Sequence, residues 1–162
     1  MFTRLLCVLS LSLLSITPTA HAASPHDVAE VDQLIHDESI PAEVRAIDRW
    51  RQRRGGTTLV FVHEGVRYEL YSTSRRVHPG MTDPFLSVTL LGDSREWLAI
   101  ITDHKLDGTV DVGVSRKGVR TYESGRHDKR DPIGLEYADA YQADFDKVIA
   151  AALAYKRSQQ KQ

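Results

Sequence analysis

Apolar and polar residues alternate in short runs between Thr57 and Tyr122. A period of two predicts strands that bury one face. The runs are TTLVFV, VRYELY, FLSVTLL, WLAII, TVDVGV and VRTY. Short connections favour antiparallel neighbours, because a parallel crossover needs about a dozen residues or more. The pattern therefore predicts an antiparallel meander of about five to six strands.

A helical period precedes the predicted sheet. Ser24-Pro25-His26-Asp27 opens a helix with a capping hydroxyl, a proline at the first helical position and an acid near the positive end of the dipole. Pro41 predicts a second N-terminal helix, because Val44, Ile47 and Trp50 recur at intervals of three before a stop at Gly55-Gly56.

A long amphipathic helix is predicted from Leu135 onward. Its apolar stripe consists of Tyr141, Phe145, Val148, Ile149, Ala152 and Leu153. Such a stripe must be buried against another element. We therefore expect an α+β fold with N-terminal helices, an antiparallel meander sheet and this C-terminal helix packed on one sheet face.

The first 22 residues have the order of a secretory signal peptide, with Arg4, an apolar run and small residues at Ala20 and Ala22. The apolar run of about 12 residues is shorter than the roughly 20 that a membrane span needs. We expect cleavage after Ala22, with Ala23 as the alternative. Residues 23–162 are then a single exported domain, periplasmic or secreted, with a polar tail at 158–162.

Composition narrows the classes of partner and the means of stabilisation. The single cysteine, Cys7, lies in the predicted signal peptide, so the exported domain must be held by its core without disulfides. The chain has 21 Lys and Arg against 22 Asp and Glu, a net charge of −1. This balance carries no overall nucleic-acid signature, so we expect no nucleic-acid partner.

The stretch TDHKLDGTVD at residues 102–111 resembles part of a calcium-binding loop. Asp103, Asp107 and Asp111 fall at positions one, five and nine of that pattern, and a glycine follows the second acid. Lys105 stands where a further acid is expected, and the twelfth position is Val114. The alternative is a hairpin turn in which Asp103 caps the loop with its own side chain. The pattern favours the turn and leaves a weak calcium site as the alternative.

Two charged segments are candidates for partner binding, although cations at a helix end or in a crossing loop also occur without a binding role. Arginines on both sides of a tryptophan are suited to an acidic protein surface. The second segment contains Arg75, Arg76 and His78 and is predicted as a long loop, and recognition residues are common in such loops. The candidate residues are Arg49, Trp50, Arg53, Arg75, Arg76 and His78.

Recognisable catalytic motifs are missing from the sequence. It contains no cysteine nucleophile in the exported part, no G-x-S-x-G, no H-E-x-x-H and no glycine-rich phosphate loop. We therefore expect a non-enzymatic binding protein of the inhibitor or immunity type, without a cofactor and with an acidic protein as partner. The alternatives are a weak calcium-binding structural protein and a hydrolase whose active site is assembled from dispersed residues.

Overall fold

The computed structural model describes residues 22–48, 56–73, 84–92, 96–116, 121–123 and 132–161. Two helices and seven strands make up this part of the chain, in the order α1 (Pro25–His36), β1 (Val44–Asp48), β2 (Gly56–His63), β3 (Val66–Ser72), β4 (Leu86–Leu91), β5 (Trp97–Asp103), β6 (Val112–Ser115), β7 (Thr121–Glu123) and α2 (Pro132–Gln159). The fold is therefore α+β, as the sequence predicts.

The seven strands form one sheet in sequence order, and every neighbouring pair is antiparallel. The β2–β3 turn has positive φ angles of 51° at Glu64 and 78° at Gly65. Two such residues suit a tight hairpin, because their backbone twist matches that of the strands. The predicted meander is thus confirmed, with one more strand than the sequence pattern contained.

Both helices lie on one face of the sheet. The core there joins Val28, Val31, Leu34 and Ile35 of α1 to the apolar stripe of α2 and to alternate residues of β2 to β5. The ring of Phe61 on β2 stacks between those of Tyr68 and Tyr155, with centroid distances of 5.2 and 4.6 Å. The stripe predicted for the C-terminal helix is buried as expected.

The predicted second N-terminal helix is wrong. Residues Val44–Asp48 form strand β1, which pairs with β2 from Val44 opposite Val60 to Asp48 opposite Gly56. Val44 and Ile47 do not share a buried face, since they are 42% and 58% exposed. The pairing with β2 overrides their helical spacing, because β-branched Val44 and Ile47 favour a strand and five residues are too few for a period to distinguish helix from strand.

Gly56 is not a helix stop but the first residue of β2. A Cβ atom at this position would lie 2.5 Å from the ring of Tyr71 and 2.6 Å from the carbonyl oxygen of Ser72. Glycine is therefore required by the close approach of β3.

Arg45 ties β1 to the end of α1. Its guanidinium donates to the carbonyl oxygens of Leu34, Ile35 and Ile40, at 3.4, 3.1 and 2.9 Å. Carbonyls at a helix C-terminus lack partners within the helix, and a cation is favourable there. Arg45, which the sequence pattern places in a second helix, thus lies on a strand and binds carbonyls at the end of the first helix.

Candidate functional site

Asp103 lies at the end of β5, where the chain enters the loop that resembles a calcium site. Its carboxylate is fully buried and accepts backbone N–H groups from Lys105, Asp107 and Gly108, at 3.0, 3.3 and 2.8 Å. Burial raises the pKa of this carboxyl above its ordinary value, although the three amides oppose the rise. Asp103 caps the loop through its own side chain, as the turn interpretation predicts.

Asp107 and Asp111 also bond to the backbone of this loop. Asp107 Oδ1 accepts the N–H of Thr109 and Asp111 Oδ2 accepts the N–H of His104, each at 2.9 Å. Among the described residues, no group of three or more His, Cys, Asp and Glu side chains is arranged to hold a metal ion. The calcium hypothesis for Asp103, Asp107 and Asp111 stays a prediction.

A polar network joins the loop to α2 and to the residue before α1. Gln142 Oε1 accepts the N–H of Val110 at 2.9 Å, and its Nε2 donates to the carbonyl of Gly108 at 2.8 Å and to Asp146 Oδ1 at 2.9 Å. The backbone N–H of Ala23 donates to the same Asp146 oxygen at 2.9 Å. The loop and the N-terminal segment are therefore both held by two side chains of α2, Gln142 and Asp146.

Sequence reasoning missed this network. Gln142 and Asp146 are four residues apart, and each follows a buried aromatic residue of the stripe, Tyr141 or Phe145. Residues four apart share a helix face, so two polar side chains beside the stripe were the available signal. Their partners, which lie more than thirty residues away, could not be read from that spacing.

All six residues predicted for partner binding lie outside the described residues: Arg49, Trp50, Arg53, Arg75, Arg76 and His78. The described residues that flank them are Asp48, Gly56, Thr73 and Pro84. The strand register puts these four at the same end of the sheet, and the loop after Asp103 leaves from that end as well.

The face of the sheet opposite the helices carries exposed apolar side chains, and we call it the open face. The strand register places Val44, Val60, Ile100 and Val114 in one row across it, with Glu69 and Thr89 between them. Val62 and Leu98 lie on the same face in the next row. No helix of the described chain packs on this face, whose exposed apolar residues are Val44, Val62, Leu98 and Ile100.

An aromatic cluster lies at the end of the sheet from which the arginine-containing segments leave. The ring of Phe85 is 5.7 Å from that of Tyr71 and 5.9 Å from that of His104, measured between centroids. Tyr71 and Phe85 are half-buried and His104 is exposed. Aromatic side chains of this kind are enriched where proteins bind one another.

A buried polar cluster lies between α1 and β3, where Ser72 Oγ is hydrogen-bonded to Asp32 Oδ1. His36 Nε2 is 3.8 Å from that same oxygen. Serine, histidine and aspartate recur in hydrolases, but there the histidine contacts the serine and the aspartate orients the histidine. Here the aspartate contacts the serine, and Ser72 is 0% exposed. The geometry is that of a structural hydrogen bond between a helix and a strand.

A shallow groove of about 380 Å³ lies on the helical layer, lined by His26, Ala29, Glu30, Gln33 and Lys156. Lys156 Nζ lies 3.1 Å from Glu30 Oε1. No serine, threonine or cysteine is among these lining residues. The groove thus presents an ion pair and a histidine but no hydroxyl or thiol side chain.

The fold and these surfaces define a class of protein, an α+β domain with a seven-stranded antiparallel meander covered on one face by two helices. Comparison with protein-family models, with curated proteins and with solved structures finds no match to the chain. Neither described helix has the length and apolar character required to cross a membrane.

Proposed function

We propose that this chain is an exported, non-enzymatic binding protein of the inhibitor or immunity type, which binds a partner protein through the open face of its sheet. The observation that carries the proposal is the exposure of apolar side chains on that face. Both described helices cover the other face, so the fold leaves these side chains to solvent or to a partner. Export to the periplasm or the medium follows from the predicted signal peptide.

The composition of the open face suits a protein interface. Val62 and Val44 lie on one side of it and Leu98 and Ile100 on the other, with Glu69 and Thr89 in the middle row. Protein interfaces typically combine apolar contacts with polar groups, and bury about 800 Å² on each partner. A patch of this composition is more consistent with a protein than with a small charged ligand.

An acidic rim is the expected feature of the partner. The segments that contain Arg49, Arg53, Arg75 and Arg76 join β1 to β2 and β3 to β4. The described residues that flank these segments lie at one end of the sheet, as does the cluster of Tyr71 and Phe85. The first segment, residues 49–55, contains four arginines and no acid. Complementary charge raises association rates and excludes wrong partners.

The two alternatives have less support. At Asp103 the carboxylate that would bind calcium is buried and already accepts three backbone amides. The Ser72 cluster does not supply a hydrolase with a nucleophile, because Ser72 is buried and bonded to Asp32. We therefore favour protein binding over both.

The test is affinity capture of periplasmic proteins by the tagged, exported chain. A variant with Val62→Glu and Ile100→Glu adds two charges to the open face, and we expect it to lose the partner that the unchanged protein captures. Charged residues are depleted at interface cores, because burying an unpaired carboxylate is costly.

The matched control uses the same residue types on the other face. Val66 and Ile47 are 51% and 58% exposed, and the change to glutamate at both sites adds the same charge. This variant should capture the partner as well as the unchanged chain does. Equal loss of the partner in both variants, or no specific partner for any of them, would contradict the proposal.

A further inference from the structure

The residue that follows the predicted cleavage site is held by a buried carboxylate. The backbone nitrogen of Ala23 donates to Asp146 Oδ1 at 2.9 Å, across 123 residues of sequence. Ala23 is half-buried and packs against the core, whereas Ala22 is exposed. The chain therefore passes from solvent into the fold between these two alanines.

Asp146 lacks a cationic partner among the described side chains. It is 8% exposed, and its hydrogen bonds come from the neutral donors Gln142 Nε2 and Ala23 N–H. No Lys, Arg or His of the described chain forms an ion pair with it. A buried carboxylate without a counter-charge is costly, and a cation at the same position would remove that cost.

Gly108 makes room for the N-terminal segment at this point. A Cβ atom on Gly108 would lie 2.2 Å from the carbonyl oxygen of Ala23. The carbonyl of Gly108 is in turn held by Gln142 Nε2 at 2.8 Å. Loop and helix thus form a cradle, consisting of Gly108, Gln142 and Asp146, that receives the backbone of Ala23.

We propose that the bond between Ala22 and Ala23 is the processing site of the exported chain and that this cradle binds the α-ammonium group of Ala23 that processing creates. A signal peptidase would hydrolyse this amide with one water molecule. Ala22 leaves with the leader as a carboxylate, and the nitrogen of Ala23 takes up protons to become –NH₃⁺. The inference rests on the export part of the proposed function and not on partner binding.

Cleavage changes the contact without moving its atoms. The nitrogen that donates one N–H from a neutral amide becomes a cation with three donors at the same position. The ammonium adds the attraction of opposite charges to the hydrogen bond that the amide already donates to the carboxylate. The interaction between the Ala23 nitrogen and Asp146 of α2 is therefore strongest in the processed chain.

The same geometry distinguishes the two cleavage sites that the sequence leaves open. Cleavage after Ala23 would create the ammonium at Ser24, whose nitrogen contacts Asp27 Oδ2 at 3.0 Å within the cap of α1. Of its two hydrogen bonds within the described part of the chain, Asp146 would then keep the one from Gln142. Only a chain that begins at Ala23 brings the new charge to the buried carboxylate.

The test begins with the full precursor, expressed with its leader and recovered after export. Intact mass and N-terminal sequencing should give Ala23 as the first residue. The α-amine is then reacted with an acylating reagent at neutral pH. Peptide mapping measures the rate at which the N-terminus is acylated. We expect about a 10-fold or greater slowing in the folded protein relative to the urea-unfolded protein, because the ammonium is half-buried and paired with Asp146.

Asp146→Asn provides the variant, because it keeps an acceptor oxygen and removes the charge. The acylation rate at Ala23 should rise at least about 3-fold in folded Asp146→Asn. Asp144→Asn, at an exposed position of the same helix, should leave the rate unchanged.

Each contrary outcome has a distinct meaning. An uncleaved product, or one that begins at another residue, overturns the processing site, and an uncleaved product also counts against export. A product that begins at Ala23 but reacts equally fast folded and unfolded overturns the cradle and leaves export intact. If Asp146→Asn does not fold, the comparison of folded and unfolded unchanged protein still decides the matter.

Discussion

Gly108 is subject to two constraints at once, a positive φ of 88° and the Ala23 carbonyl oxygen, which lies 2.2 Å from where a Cβ atom would be. Either constraint disfavours a side chain, since left-handed backbone strains other residues and a Cβ would overlap the carbonyl oxygen of Ala23.

We expect Gly108→Ala to lower the free energy of unfolding by about 3 kcal/mol, the sum of backbone strain and displacement of the N-terminal segment. Gly65→Ala is the matched control, because Gly65 has a φ of 78° and no atom lies within 4 Å of the place that a Cβ would occupy. It should cost about 1 kcal/mol. Urea unfolding of both variants measures the difference, and equal losses would mean that Ala23 does not pass over Gly108.

The burial of Asp103 predicts how the stability of the protein depends on pH. Because burial raises its pKa in the folded state, its contribution to stability is full below its unfolded pKa and declines as the pH rises through the folded value. The destabilisation caused by Asp103→Asn should therefore be larger at about pH 3 than at about pH 7. Denaturant unfolding of both proteins at the two pH values provides the measurement. A destabilisation that grows with pH would show that the backbone amides outweigh burial.

At the scale of elements, Arg45 shows how one side chain joins a strand to a helix. Its guanidinium reaches three carbonyls at and beyond the end of α1. We expect Arg45→Met to lower the free energy of unfolding by about 2 kcal/mol, since these acceptors lose charge-assisted bonds.

Arg67→Met is the control for this change, because Arg67 forms a surface ion pair with Glu43, at 2.9 Å. An exposed pair contributes about 0–1 kcal/mol. Thermal and denaturant unfolding should rank Arg45→Met well below Arg67→Met in stability. The reverse ranking would mean that the carbonyls at the end of α1 are satisfied without Arg45.

At the scale of the whole molecule, one core joins both helices to the sheet. We therefore expect a single cooperative unfolding transition, as small single domains usually show. Trp50→Phe leaves Trp97, on β5, as the only tryptophan. Its fluorescence should change at the same denaturant concentration as the far-ultraviolet circular dichroism of the helices. Two separated midpoints would show that sheet and helices unfold independently.

The sequence by itself determined most of the architecture. Six strands, the first helix and the buried stripe of α2 follow from local periods of two and 3.6, which the surrounding structure reinforces. The sequence also predicts the Asp103 turn, since aspartate bonds to the backbone a few residues ahead in the chain.

Tertiary structure decided what local pattern left ambiguous. Val44–Asp48 became a strand because β2 offers an edge to pair with, and the roles of Arg45, Gly56 and Gly108 depend on residues from other elements. The open face and the Asp146 cradle exist for the same reason, because register and packing bring together residues far apart in sequence. A periodic pattern reports which side of an element is apolar, and only the packed chain specifies what that side meets.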